Sequence, residues 1–201
     1  MSGYVPYWDQ ERAFDVVHQQ PATFTQISPM WYSLNRNGKI VLADDDNTDV
    51  DQGEVRFLQD SGILVLPTLT NLRNGDWEPA LVRSMLRDGI VRRRHVDAVV
   101  ELVERNGYDG IDIDYEDLRA DDRAPYSEFL SSLGEALHRN GRLLTSSVYA
   151  KESEPGPNDH NIVQDYTAIA SACDQVRVMT YDYHYSTSEP GPVAPAEWVE
   201  N

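Results

Sequence analysis

Residues 96–149 read VDAVVELVERNGYDGIDIDYEDLRADDRAPYSEFLSSLGEALHRNGRLLTSSVY, and two periods alternate along them. Val96, Val99, Val100 and Val103 recur at i, i+3, i+4 and i+7, which predicts an amphipathic helix that Asn106-Gly107 stops. Residues 108–115 then alternate at period two, as a strand does. After Pro125 the apolar stripe Phe129, Leu130, Leu133, Leu137 predicts a second helix, closed by Asn140-Gly141, and residues 143–149 read as another strand. Working outward, strands are expected at 3–8, 25–34, 63–70 and 175–181. Helices are expected at 10–19, 52–60, 79–87 and 161–172.

Strict alternation of strand and helix implies parallel strands joined by right-handed crossovers, in a doubly wound sheet or a (β/α) barrel. No Gly-rich phosphate loop follows the first strand, which favours the barrel. Eight βα units usually take about 250 residues, and six strands are found here. Either the barrel stops after six units or two strands escape the pattern. The expected fold class is therefore α/β, of the (β/α)8 TIM-barrel type with about six units present, with residues 1–201 as one domain. The tail 186–201, with Pro190, Pro192 and Pro195, reads as a loop leading to the start of a helix at Trp198.

Composition bounds the partners. Of 201 residues, 40% are hydrophobic and 25% charged, an ordinary globular balance, and a chain this long buries roughly 70% of its unfolded surface. Lys and Arg total 17 against 34 Asp and Glu, a formal charge of −17. That excess of acid argues against nucleic acid and anionic membranes, which proteins meet with Lys and Arg. Cys173 stands alone, so no internal disulfide forms. No stretch approaches the roughly 18 apolar residues of a membrane span, and Met1-Ser2-Gly3-Tyr4 has neither region of a secretory signal. Localisation stays open.

The chemistry lies in Asp109-Gly110-Ile111-Asp112-Ile113-Asp114-Tyr115-Glu116-Asp117. In a strand, Asp112, Asp114 and Glu116 share one face while Ile111, Ile113 and Tyr115 share the other. Side chains on one face start roughly 6.6 Å apart, so their protonation couples and like charge raises some pKa values. A barrel interior normally holds Val, Ile and Leu, so a row of acids there costs stability unless it has a task. Two other readings stand beside this one. A solvated edge strand fits poorly with isoleucines behind the acids, and a divalent-metal site lacks an Asp-rich loop or a His cluster.

The spacing Asp-x-x-Asp-x-Asp-x-Glu, filled by Asp109, Asp112, Asp114 and Glu116, resembles the signature on the fourth strand of glycoside hydrolase family 18, the chitinases and related N-acetylglucosaminidases. Met179-Thr180-Tyr181-Asp182 resembles that family's Met-x-Tyr-Asp motif on the sixth strand. Gly3-Tyr4-Val5-Pro6-Tyr7-Trp8 looks like its first strand, and Leu64-Val65-Leu66-Pro67 through Thr70-Asn71 like its third, without the Ser-x-Gly-Gly of many chitinases. That form, with residues 144–151 and Gly191-Pro192-Val193-Ala194-Pro195, is closer to the branch containing spore-cortex lytic enzymes. The resemblance covers residues 3–199. Nothing matches strands seven and eight, the latter usually supplying a Trp beneath the cleaved sugar.

What the resemblance implies is a hydrolase cutting β-1,4 bonds next to N-acetylglucosamine, in chitin or peptidoglycan-type glycan, by a retaining mechanism in which the substrate's acetamide attacks. Glu116 would protonate the glycosidic oxygen, its pKa raised by the acids behind it. Asp114 would hold the acetamide N–H, Asp112 would share a proton with Asp114, and Tyr181 would donate to the acetamide carbonyl. Asp182 would bind the same sugar, with Met179 beside it. Tyr4, Trp8, Trp31 and Tyr32 near strand ends are candidate stacking platforms, and Asn71 a candidate sugar ligand. Asp109 is expected to tie the strand's start to neighbouring backbone. The histidines show no ligand spacing, so no metal and no cofactor is expected. The expected partner is an N-acetylglucosamine-containing glycan, with self-association through open barrel edges. A glycan-binding protein without turnover, or an inactive fragment, is the competing reading.

Overall fold

The alternation of strand and helix is present in the computed structural model, which describes residues 1–43 and 50–200. Asn201, the end of the expected tail, lies outside the described residues. The strands are β1 (Ser2–Val5), β2 (Gln26–Pro29), β3 (Tyr32–Leu34), β4 (Ile40–Leu42), β5 (Leu64–Val65), β6 (Thr68–Thr70), β7 (Leu72–Arg73), β8 (Asp76–Trp77), β9 (Gly110–Asp114), β10 (Leu143–Tyr149) and β11 (Gln175–Met179). The helices are α1 (Gln10–Gln19), α2 (Gln52–Asp60), α3 (Pro79–Arg87), α4 (Gly89–Asn106), α5 (Arg123–Arg139), α6 (Asp159–Val163), α7 (Tyr166–Ala172) and α8 (Ala196–Val199).

Proline divides the strands expected to be continuous, because it removes a ladder donor. The 3–8 strand ends at Val5, and Pro6 leads into a short 3-10 turn. Residues 25–34 form β2 and β3 around Pro29, and 63–70 form β5 and β6 around Pro67. The ladder nevertheless continues through the breaks, by Met30 N–H to Val5 O (2.9 Å), Leu66 N–H to Ile27 O (3.0 Å) and Asp112 N–H to Pro67 O (2.9 Å). The 161–172 helix is two helices, each with its own N-cap: Asn158 accepts from Asn161 N–H, and Asp165 from Ala168 N–H. The antiparallel pairings β3–β4 and β7–β8 were not expected from the sequence.

Counting β2/β3 and β5/β6 as single positions, six parallel positions follow one another in chain order, with no reversal. A doubly wound sheet reverses its strand order, whereas a barrel does not. The arc curls so far that Tyr4 on β1 reaches Ser147 on β10 (2.7 Å) and Arg177 on β11 reaches Ser28 on β2 (2.8 Å). Among the described residues it stays open, since β1 pairs only with β2 and β11 only with β10.

The arc separates two environments. Ile27, Val65, Leu69, Ile111, Ile113 and Leu144 are buried in the apolar core that the helices cover. On that outer side the Tyr115 hydroxyl meets His95 Nε2 of α4 at 2.7 Å, and burial pushes His95 down to about 4. Asp88 caps α4 by accepting from Ile90 and Val91, and Gly107, at φ 68°, ends it. Buried Asp122 holds α3 to the start of α5 through Arg83 Nε (2.6 Å) and Arg87 Nε (2.9 Å). The inner side carries Ser28, Thr68, Asp112, Thr145 and Ser147, all buried.

Gly110 sets the approach of β9 to β10, since a Cβ there would lie 2.2 Å from Leu143 O. Gly110→Ala is expected to lower the urea midpoint at unchanged m-value, costing ~1–3 kcal/mol. Gly89→Ala, whose nearest neighbour would be Arg93 Nη1 at 4.0 Å, serves as the control that does not lower it.

Candidate active site

The period-two alternation of β9 turns Asp112 and Asp114 inward from one strand, with Glu116 just beyond its end. Their surroundings differ. Four hydroxyls surround Asp112: Thr145 (2.6 Å) donates to Oδ1 and Thr68 (3.1 Å) to Oδ2, while Ser147 (3.3 Å) and Tyr4 (3.4 Å) also reach Oδ2 and, sharing their own 2.7 Å hydrogen bond, supply one further donor between them. Arg177 Nη1 lies 3.5 Å from Oδ1, and the guanidinium sits 5.0 Å over the Tyr4 ring. A buried carboxylate is tolerated when its acceptors are filled and its charge is opposed, and both conditions are met.

Asp114, one step towards the open end, has no such set. Its Oδ1 is buried with no hydrogen-bond partner among the described residues, and burial, then Glu116, then Asp112 raise its pKa well above the ordinary value. Glu116 is pushed up to about 7, by burial first. A hydrogen bond from the Tyr149 hydroxyl to Oε2 opposes that rise, while Asp117 and Asp182 add to it. This corrects the expected cause. Desolvation, rather than the acids behind Glu116, is the main source of its affinity for a proton.

Glu116 is clamped through its backbone. Asn71 Oδ1 accepts from Glu116 N–H (2.8 Å), and Asn71 Nδ2 donates to Glu116 O (3.0 Å). The next residue, Asp117, adopts φ 59°, a left-handed conformation uncommon for non-glycine residues. Asp182, after β11, does the same at φ 57°. At the strand ends Asp114, Glu116, Tyr181, Asp182 and Met179 line a cleft of about 730 Å³. Tyr181 is half exposed there, and burial together with the facing acids pushes its phenol up to about 12.

Tyr4, Met179, Tyr181 and Asp182 thus share the cleft with the acids, and Asp109 ties strand to strand by accepting from Val65 N–H (2.9 Å). Three expected sugar contacts are placed elsewhere. Trp31 is fully buried, packed towards Phe14 and Tyr108, with Nε1 donating to Gln10 Oε1 (2.6 Å). Asn71 spends both ends of its amide on Glu116 and is 1% exposed, so it positions the acid rather than a sugar. Tyr32 is likewise in the core, its hydroxyl on that of Tyr108 (2.7 Å).

Sequence reasoning missed Tyr149, Arg177, Ser147 and Trp77, all of which line the cleft. Strand parity offered a signal for three of them, since Ser147 and Tyr149 alternate along β10 and Arg177 shares the face of Met179. Trp77 offered none, because it arrives on the unexpected hairpin β7–β8. Among the described residues no cluster of His, Cys, Asp and Glu is arranged to hold a metal ion.

A carboxyl whose folded pKa is raised favours folding at low pH and loses that contribution as pH rises from the unfolded towards the folded value. Asp114→Asn, which mimics the protonated acid, is therefore expected to unfold at higher urea than the parent at pH 8 and at the same urea near pH 3. Each unit of raised pKa is worth about 1.4 kcal/mol.

Comparisons with known proteins agree with this geometry. A sporulation-specific glycosylase, as it is named, from Bacillus subtilis (YdhD) is 33% identical over 171 residues, covering 85% of this chain and 39% of that protein. The Bacillus subtilis cortical fragment-lytic enzyme is 30% identical over 172 residues, covering 85% and 38%. A class V chitinase structure from Pseudomonas fluorescens Pf-5 superposes with a TM-score of 0.87 at 25% identity, over 98% of this chain and 61% of that one. The chain thus spans about two fifths of the length of these sequence relatives. The profile described as glycosyl hydrolases family 18 matches residues 1–198, and the chain belongs to that family.

Proposed function

We propose that this chain carries the catalytic centre of a retaining glycosidase that cleaves β-1,4 bonds next to N-acetylglucosamine, in chitin or a peptidoglycan-type glycan. The observation that carries the reading is the pair at the end of β9: a clamped carboxyl with a pKa of about 7, Glu116, beside a buried carboxyl, Asp114, with an unfilled acceptor. The names of the relatives, which speak of spore cortex and of chitin, support the substrate class.

Glu116 donates its proton to the glycosidic oxygen as the bond to the anomeric carbon breaks. The acetamide carbonyl oxygen forms the new bond to that carbon, giving an oxazolinium. The Asp114 carboxyl, turned towards the cleft, accepts the acetamide N–H and faces the positive charge that develops. Tyr181 donates to the acetamide carbonyl and Asp182 holds the same sugar. Water then attacks the anomeric carbon, Glu116 takes its proton, and the acetamide is restored with net retention. Exposed Trp8 and the neighbouring Trp77 offer flat apolar surfaces for the adjoining sugars.

Release of a fluorophore from an N-acetylglucosaminyl-oligosaccharide glycoside tests the reading. Glu116→Gln is expected to lower kcat/KM by about two orders of magnitude or more at matched folding. In the parent, kcat/KM falls as pH rises through about 7, because the acid has to carry its proton. A substrate with a hydroxyl in place of the 2-acetamido group is expected to survive, and equal turnover of it removes the acetamide from the mechanism. Sugar binding with no turnover in either protein favours the glycan-binding reading. The unpaired edges of β1 and β11 also fit self-association, which light scattering reads as a mass above one chain; a monomer at all concentrations refutes it.

A further inference from the structure

We propose that Tyr149 is a positioning residue for the acid: its hydroxyl, donating to Glu116 Oε2, holds the carboxyl in one place and steadies the carboxylate form needed when water attacks. The inference rests on the reading of Glu116 as the acid and base, and it assigns a role to a residue at the end of the fifth barrel position.

The geometry is that of two fixed platforms joined by one hydrogen bond. On one side Asn71 grips both backbone groups of Glu116. On the other, Tyr149 ends β10 with its N–H donating to Gln164 Oε1 (2.7 Å) and its carbonyl accepting from the Tyr166 hydroxyl (2.5 Å). Its ring packs against His160 at 5.4 Å between centroids. With the Tyr149 backbone held from both directions, the hydroxyl is delivered to Oε2 with little freedom left to lose.

The need for a donor follows from what else faces Glu116. On its own segment stand Asp114 and Asp117, and from the turn after β11 come Tyr181 and Asp182. His160, from α6, places Nδ1 3.4 Å from Asp117 Oδ1 rather than at Glu116. Burial and the surrounding acids all favour the protonated carboxyl. Among the described residues, Tyr149 supplies the side-chain hydrogen bond that favours the ionised one. A group that gives a proton in one half-reaction and takes one in the next works best near the operating pH, so an unopposed rise would leave a good acid and a poor recipient for the proton of water.

The test reads the Glu116 carboxyl directly, by 13C NMR of labelled glutamate side chains with the signal assigned from its loss in Glu116→Gln. Tyr149→Phe keeps the ring against His160 and removes the donor. The Glu116 midpoint is expected to rise by about one unit, as loss of a charge-assisted hydrogen bond requires, and the basic limb of kcat/KM to move up with it. Difluorotyrosine placed at position 149 leaves the backbone contacts intact and strengthens the donor, so the midpoint is expected to fall. A midpoint left in place in either folded variant overturns the proposal, whatever happens to kcat. Because the titration needs no turnover, its failure is distinct from that of the hydrolase reading, which Glu116→Gln kinetics decide.

Discussion

Asp112 is a carboxyl with no exposed surface in the middle of a barrel-type arc, and the rest of the inner face is organised around the cost of burying it. Removing a charge from water is tolerated only if its hydrogen-bonding capacity is met and its field opposed. The hydroxyls that surround it come from β1, β6 and β10, and the opposing guanidinium from β11. These are residues far apart in the chain. Their convergence on one carboxyl supplies contacts across the interior, from Tyr4 to Ser147 and from Arg177 to Ser28, that ladder pairing between neighbours cannot make.

Two residues further along the same strand the rule is reversed. Asp114 is buried without a partner at Oδ1, and Glu116 sits in a partly dry cleft with further acids facing it. Identical side-chain chemistry at a regular spacing thus acquires different tasks from what the neighbouring strands present. One carboxyl is saturated with donors, one is left as an acceptor, and one is poised near neutrality. The clamp by Asn71 and the bond from Tyr149 fit the same division, because they fix where the poised carboxyl stands without filling the cleft in front of it.

The acidic strand and the parity of its side chains were legible because a strand has a period of two and because Ile111, Ile113 and Tyr115 needed an apolar place behind the acids. The helices at 96–106 and 125–140 were legible for the same reason at period 3.6. Trp31 and Asn71 were misjudged because a residue near a strand end can turn either way. Trp31 precedes β3 and packs under α1, where Phe14 and Gln10 receive it. Asn71 lies beside Glu116 only through the pairing of β6 with β9, a neighbour relation 45 residues apart in sequence.

Local order alone therefore accounts for the alternating elements, the inward row of acids and the motif at residues 179–182, since each depends on periodicity or on residues adjacent in the chain. The distribution of protons and partners along that row depends instead on Thr68, Thr145, Ser147, Tyr149 and Arg177, brought in from other strands by the curl of the sheet. Spacing in sequence places a carboxyl on a face. Only the packed arc decides whether that carboxyl meets a donor, another acid or open space, and that difference sets apart the acid filled with donors from the two left open towards the cleft.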